Sequence, residues 1–180
     1  MSAAGGDATA WAALAPDVPA EWFARPSTLH GARHTQRVHI HAQRLTGELG
    51  WADSESQLVL TAALWHDIGR TNDGVEPDHG ANGAARAVDL ELTGGLAPGD
   101  ADTVLFAIAC HCLSDKFAKE EARRLAEPER ALRVLWLLKD ADALDRVRLA
   151  PWEAADPGQL RHPQTAVLLP FATELYDTLR

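Results

Sequence analysis

The chain has 180 residues, 46% of them apolar and 24% charged, which suffices for the buried core of one compact domain. Its 17 lysines and arginines against 26 aspartates and glutamates give a formal net charge of −9, which argues against broad binding to nucleic acid or anionic lipid. Two cysteines exclude a disulfide framework, and no apolar run approaches the ~20 residues of a membrane span. Because the first ten residues also lack a signal-peptide pattern, we expect a cytoplasmic protein.

Apolar residues recur with helical spacing between clusters of glycine and proline, so the sequence predicts an all-α fold. We expect a single domain over residues 1–180, a compact bundle of about seven to eight helices whose motif-bearing core spans about 30–148. The proline-rich stretch 150–163 is expected to form a surface loop before a C-terminal helix. The predicted helices span residues 17–24, 31–49, 54–69, 81–92, 100–113, 118–126, 129–148 and 164–179.

The second predicted helix carries three histidines in different orientations. At about 100° per residue, Val38 and Leu45 define its buried face, and His34 falls on that face one turn before Val38. His41 lies near the edge of the face, where a histidine satisfied by hydrogen bonds within the core is the more common explanation. His39 points away from the face and is expected in solvent. His34 is therefore the candidate for an inward polar group.

Three further helices also bring a polar side chain to an apolar face. Asp67 lies on the apolar side at the end of the third helix, and His111 continues the apolar face of the fifth. In the seventh helix Asp142 and Asp145 continue the apolar face, whereas Asp140 lies opposite. An unpaired inward carboxylate is costly, and a shared divalent cation is the simplest way to stabilise several such groups together. The alternative is that hydrogen bonds satisfy each group separately.

These residues belong to short motifs that follow one another in a set order. The first is H-T-Q-R-V, beginning at His34, and the second is L-W-H-D-I-G-R, containing His66 and Asp67. The third is K-D-A-D-A-L-D, containing Asp142. In this order the motifs resemble the HD superfamily of metal-dependent phosphohydrolases, an all-α family named for its adjacent His-Asp pair. The resemblance spans about residues 30–148, which is most of the chain.

The resemblance implies four metal ligands: His34, His66, Asp67 and Asp142. It also implies that Asp67 is catalytic and bridges the ions if two are bound. His79 in P-D-H-G and His111 in C-H-C resemble family histidines that accompany a second metal, so we expect them to bind a second ion or to act catalytically by transferring protons. The cofactor is then one or two divalent ions, drawn from Mn, Mg, Co, Fe, Ni and Zn. The sequence leaves open both the number of ions and the identity of the metal.

The implied activity is cleavage of a phosphoester or phosphoanhydride in a small phosphorylated substrate, with a nucleotide favoured, by metal-activated water. Four basic residues next to the motifs, or one turn from them, are candidates for holding substrate phosphates, although a surface charge is the commoner role for such residues. They are Arg70, Arg37, Lys116 and Arg146.

Two other functions stay open on the sequence: a non-catalytic metal- or nucleotide-binding sensor domain, and a di-iron oxygenase of the HD type. No membrane partner is expected, and the oligomeric state is not predicted. The remaining four histidines are expected to have ordinary structural or surface roles: His30, His39, His41 and His162.

Overall fold

The computed structural model describes residues 7–150 and 153–180, and within these ranges it contains helices and no strand. The predicted all-α fold is thereby confirmed. None of the helices in the described ranges is long and apolar enough to cross a membrane. The α-helices of this part of the chain are α1 (Ala8–Ala12), α2 (Ala32–Glu48), α3 (Asp53–Trp65), α4 (His79–Asp89), α5 (Pro98–Cys110), α6 (Asp115–Ala122), α7 (Pro128–Leu144), α8 (Pro163–Val167) and α9 (Leu169–Thr178).

The first predicted helix is wrong. Over residues 17–24 the structure has only a 3-10 turn, Ala20–Trp22, which begins after Pro19. The ring of a proline disfavours helical backbone in the residue before it, so a helix that begins at residue 17 cannot run through this position. The short helix α1, which the sequence analysis does not predict, lies upstream and is capped by the Asp7 side chain, which accepts a hydrogen bond from the Thr9 amide.

The last predicted helix, 164–179, is divided into α8 and α9 near Leu168. Pro170 lies in the first turn of α9 and has no amide hydrogen, so it cannot continue the hydrogen-bond ladder of α8. The predicted surface loop contains a 3-10 turn, Pro157–Gln159. Its residues 151 and 152 lie outside the described part of the chain.

Four helices form the centre of the bundle. α2 packs against α3 and α7, and α5 packs against the same two helices from the other side of the core. α4 packs on α5, and α9 packs on α1 and on the 3-10 turn Asp145–Arg148 that follows α7. Apolar side chains from the four central helices are completely buried, among them Val38, Val59, Ile108 and Leu135. Burial of these side chains fixes the relative positions of the helix ends.

Three glycines let α4 approach its neighbours until main chains touch. A Cβ atom at Gly80 would lie 2.7 Å from the carbonyl oxygen of Ala109, and one at Gly83 would lie 2.6 Å from that of His66. A Cβ atom at Gly69 would lie 2.2 Å from the backbone of α4. These separations leave no room for any side chain. The distance from α4 to the end of α3 and to the end of α5 is therefore set by backbone contact; we call this set of contacts the glycine seam.

Candidate metal centre

Helix ends bring four of the predicted ligands together at one end of the bundle. His34 lies in the first turn of α2, His66 is the C-cap residue of α3, Asp67 follows it, and Asp142 lies in the last turn of α7. His34 Nε2 is 3.1 Å from His66 Nε2. The same atom is 3.5 Å from Asp67 Oδ2 and 3.4 Å from Asp142 Oδ1. We call His34, His66 and Asp142 the first half of the centre.

His79 and His111 form the second half of the centre. His79 begins α4 and His111 is the C-cap residue of α5, and their Nε2 atoms are 3.0 Å apart. Each of these nitrogens is 3.6 Å from Oδ1 of Asp67. The other oxygen, Oδ2, faces the first half, 3.7 Å from Nε2 of His66. Asp67 therefore lies between the two halves and presents one carboxylate oxygen to each.

All four imidazoles are oriented in the same way, because each Nδ1 atom lies against an oxygen and can donate a hydrogen bond to it. The acceptors are the carbonyl oxygens of Ala63 for His66 (2.8 Å), Ile108 for His111 (2.7 Å) and Glu76 for His79 (2.5 Å), and the Asp145 carboxylate for His34 (2.7 Å). In the neutral ring, each Nε2 then carries a lone pair. Two lone pairs that face each other across 3.0 to 3.1 Å repel unless a cation lies between or beside them. Ring nitrogens oriented by a second hydrogen bond are the usual donors of a metal site, so these residues fit a divalent metal.

The titration of His66 and Asp67 favours metal binding, whereas the raised pKa of His34 opposes it. Burial lowers the pKa of His66 to about 4, so its ring is neutral at neutral pH. Burial and the charge of Arg148 act to lower the pKa of His34, but hydrogen bonds to Asp145 and Asp67 raise it overall. Burial alone would raise the pKa of Asp67, yet the imidazoles around it hold that pKa well below the usual range. Neutral imidazole and ionised carboxylate are the forms that bind metals.

Asp145, which follows α7 directly, supports His34 from behind. It is fully buried, and Arg37 donates to its two oxygens through Nε at 2.6 Å and Nη2 at 3.0 Å. Arg37 Nη1 also donates to the carbonyl oxygen of Leu179, at 2.7 Å. Burial favours the neutral acid, but the hydrogen bonds to His34 and Arg37 hold the pKa of Asp145 far below its usual range. The resulting ion pair joins α2, α7 and the end of α9.

A pocket of about 450 Å³ opens over the second half of the centre. His79, His111, Asp67 and Asp142 line it, whereas His34 and His66 do not. Five cationic side chains also line it, so an acidic protein has a pocket wall that favours anions. These are Arg70, Lys139, Arg146, Arg148 and Arg161.

The four candidate phosphate-binding residues divide into two pairs. Arg70 and Arg146 line the pocket, and Arg70 Nε donates to Asp67 Oδ1 at 3.1 Å. Arg37 does not reach the pocket, because its guanidinium is buried against Asp145. Lys116 is exposed on α6 and is not among the lining residues. The structure thus brings only the first pair to the candidate site.

Three histidines differ from the roles expected of them. His30 comes to the centre, with Nδ1 2.9 Å from Asp67 Oδ2 and its ring in edge contact with that of His34. The sequence signal for this placement was the position of His30 one turn before His34. His39, expected in solvent, is half-buried, and burial lowers its pKa to about 4. His41 is completely buried, and neither ring nitrogen has a hydrogen-bond partner among the described residues.

Asp140 lies on the side of α7 opposite Asp142, as the helix phase predicts, but it is completely buried. Its carboxylate accepts hydrogen bonds from the amides of Arg161 and His162, at 3.0 and 2.8 Å, and from the Thr165 hydroxyl at 2.9 Å. Asp140 therefore fixes the segment before α8 to the back of α7. Nothing in the sequence pattern predicts this role of Asp140.

Fold and site together define a class: an all-α protein that gathers imidazole and carboxylate ligands from facing helices around one pocket. The family model described as "HD domain" matches residues 31–147. The chain therefore belongs to the HD domain family, as its motifs indicate, and proteins of this family typically are metal-dependent phosphohydrolases.

One curated relative shares this domain. A bifunctional uridylyltransferase/uridylyl-removing enzyme from Bordetella avium (strain 197N) is 32% identical to the chain over 120 residues. The match includes 61% of this chain and 14% of the length of that enzyme. No solved structure gives a significant match.

Proposed function

We propose that this protein is a phosphohydrolase that uses two divalent ions and cleaves a phosphoester or phosphoanhydride bond in a small molecule. The observation that carries the proposal is the position of Asp67, whose two oxygens each face a separate pair of imidazole nitrogens. One ion would be held by the first half of the centre and the other by the second half, with Asp67 as the shared ligand. A single ion would leave one pair of facing imidazole nitrogens without a shared metal ion.

Two ions bound here would supply Lewis acidity toward a phosphoryl oxygen and a nucleophilic water at neutral pH. The protein itself orients the donors through their Nδ1 hydrogen bonds and provides cations for the substrate. Arg70 Nη2 lies 3.4 Å from His79 Nε2, at the edge of the second half, where it would contact a phosphate oxygen. Arg146 is exposed at the rim, where it would bind a more distant anionic group.

We propose a nucleotide as the substrate class. The cationic wall of the pocket favours an anion that carries more than one charge, and its volume of about 450 Å³ lies in the usual range for small-molecule sites. The relative from Bordetella avium is named for removing a uridylyl group, which is itself a nucleotide unit. We further propose that residues 1–180 act as one domain in the cytoplasm, where the two free cysteines stay reduced.

The experiment that tests this function measures metal content and turnover together. Metal-free protein is loaded with Mn²⁺, Co²⁺ or Mg²⁺ and offered a panel of nucleotides and phosphoesters, and released phosphate and pyrophosphate are measured. We expect two ions per chain and turnover of at least one nucleotide, which Asp67→Ala abolishes. Asp177→Ala, which removes an exposed carboxylate on α9, is the matched control and should keep full turnover.

Three outcomes would contradict the proposal. Equal turnover by Asp67→Ala would show that a contaminant is measured. Tight nucleotide binding without hydrolysis, under every metal, would favour the sensor domain. Oxygen consumption by iron-loaded protein would favour the oxygenase.

A further inference from the structure

The second half of the centre has a neighbour that the motifs do not include. Cys112 follows His111 directly, after the end of α5. Its Sγ and one ring nitrogen from each of His79 and His111 all lie within 4.8 Å of one another. Cys112 also lines the pocket. Three side chains that can each bind a metal therefore meet at this point.

Each half of the centre contains a group of three side chains whose ligand atoms lie close together. In the first half, Asp142 forms a group of ligand atoms with His34 and His66 within 4.8 Å. In the second half, the corresponding group is formed by Cys112 with its two histidines. Asp67 belongs to neither of these two groups, but its oxygens lie 3.5 to 3.7 Å from histidine nitrogens of each half. The sulfur atom takes in the second half the place that Asp142 takes in the first.

The position of Cys112 is not explained by packing. Its side chain is half-exposed, and its Sγ donates only a weak hydrogen bond, to the carbonyl oxygen of Pro77 at 3.4 Å. Cys110, two residues earlier, is 4% exposed and belongs to the hydrophobic core. The two thiols thus differ in surroundings, and only Cys112 faces ligand atoms.

We propose that Cys112 is a ligand of the ion in the second half, and that the two halves therefore prefer different metals. The inference rests on the proposed two-ion function. When the ion binds, the Sγ–H bond breaks, the proton passes to water, and a metal–sulfur bond forms. Thiolate is a soft ligand that favours Zn²⁺, Co²⁺ and Fe²⁺ over Mg²⁺ and Mn²⁺, whereas two imidazoles with two carboxylates accept the harder ions more readily. The second half is then selective for the softer metal.

Cobalt provides a test that does not depend on activity. A cobalt–thiolate bond gives a charge-transfer absorption in the near ultraviolet, which imidazole and carboxylate ligands do not give. Metal-free protein is titrated with Co²⁺ alone, and absorbance and bound cobalt are recorded for wild type, Cys112→Ala and Cys112→Ser, with Cys110→Ala as the matched thiol control. We expect the band in wild type and in Cys110→Ala, and its absence from both Cys112 variants. Loss of the sulfur should also weaken the second cobalt by at least about tenfold.

The outcomes separate this inference from the function on which it rests. Stoichiometric cobalt binding without the band, or a band that persists in Cys112→Ala, overturns the role of Cys112 and leaves the two-ion centre standing. A failure to bind cobalt at all overturns both. The Cys112→Ser variant differs from wild type by one atom, so absence of its band together with unchanged thermal unfolding of the metal-free protein supports ligation.

Discussion

The two halves of the metal centre are held in place by different means. In the first half, His34 is supported by Asp145 and Arg37, a buried ion pair that joins three helices. In the second half, His79 and His111 donate to backbone carbonyl oxygens, and the glycine seam sets the position of α4. His79 and His111 line the pocket and His34 and His66 do not, so the first half reaches the pocket through Asp142. The comparison teaches that one half is fixed by charge inside the core, while the other is fixed by the main chain and presents both of its histidines to the pocket.

The largest effect is expected from a ligand of the first half. His66→Ala removes a nitrogen that no neighbouring group replaces, so the first ion is lost together with several kcal/mol of transition-state stabilisation. Turnover should fall by at least about a thousandfold, measured as phosphate release by metal-loaded protein. His39→Ala is the control, because His39 lies outside the centre, and its turnover should not change. Equal losses in the two variants would indicate that a general disturbance of the fold is measured.

The ion pair behind the first half gives the next effect. Asp145→Asn keeps the shape of the side chain but leaves Arg37 buried without its partner, which should lower the free energy of unfolding by about 3–5 kcal/mol. Urea unfolding of the metal-free protein measures this change. Asp177→Asn breaks an exposed pair with Arg180 and should cost at most about 1 kcal/mol. If the two variants lost similar amounts of unfolding free energy, the buried ion pair of Asp145 would be no more stabilising than an exposed one.

A pH dependence also arises behind the first half, from His41. This ring lies 4.0 Å from Asp145, and burial lowers its pKa to about 4. Because the ring takes up a proton near pH 6.5 in the unfolded chain but only near pH 4 in the folded one, stability is lost as the pH falls through this interval.

Between about pH 7 and pH 5 this loss should be smaller in His41→Gln by up to about 2 kcal/mol. The measurement is urea unfolding of wild type and variant between about pH 7 and pH 5, with a smaller slope in the variant. Equal slopes of unfolding free energy against pH in wild type and variant would show that His41 does not contribute to the pH dependence of stability.

The smallest effect tests the second half. Gly80→Ala places a Cβ atom 2.7 Å from the carbonyl oxygen of Ala109, so α4 must move away from α5. The free energy of unfolding should fall by about 1–3 kcal/mol, and the second ion should bind more weakly in a cobalt titration.

Gly47→Ala, in α2, is the matched control for this change. Its Cβ would meet nothing within 4 Å, and alanine is the better helix former, so the control should be stabilised by about 0.5–1 kcal/mol. We therefore expect the two substitutions to change the free energy of unfolding in opposite directions. A change in the same direction would contradict the proposed role of the glycine seam.

Helix phase and motif order suffice to predict the inward direction of His34 and the choice of Asp142 over Asp140. Each of these two predictions depends on the spacing of apolar residues within a single helix, which is a local property of the sequence. The family prediction depends on the same short motifs and is confirmed by the family match over residues 31–147. The assignment of individual ligands and phosphate-binding residues stays a prediction, which the metal and turnover measurements address.

The features of the site that the sequence could not predict depend on contacts between segments that are far apart in the chain. Periodicity identifies the core side of α7 but not the segment around Arg161 that covers Asp140 from the other side. His30 precedes α2, where no helix phase defines its direction. Arg37 was expected near the substrate because it lies one turn from His34, but its guanidinium is drawn to Asp145, 108 positions later.

The separation of Arg37 and Asp145 along the chain has a consequence for the order of folding. A contact across 108 positions can form only after α7 has docked on α2, since the entropy of closing so long a loop must be offset by the core contacts between them. We therefore expect the first half of the centre to be completed late, after the transition state for folding. Ions that bind it should therefore slow unfolding and leave the rate of folding nearly unchanged, so that metal extends the lifetime of the native state.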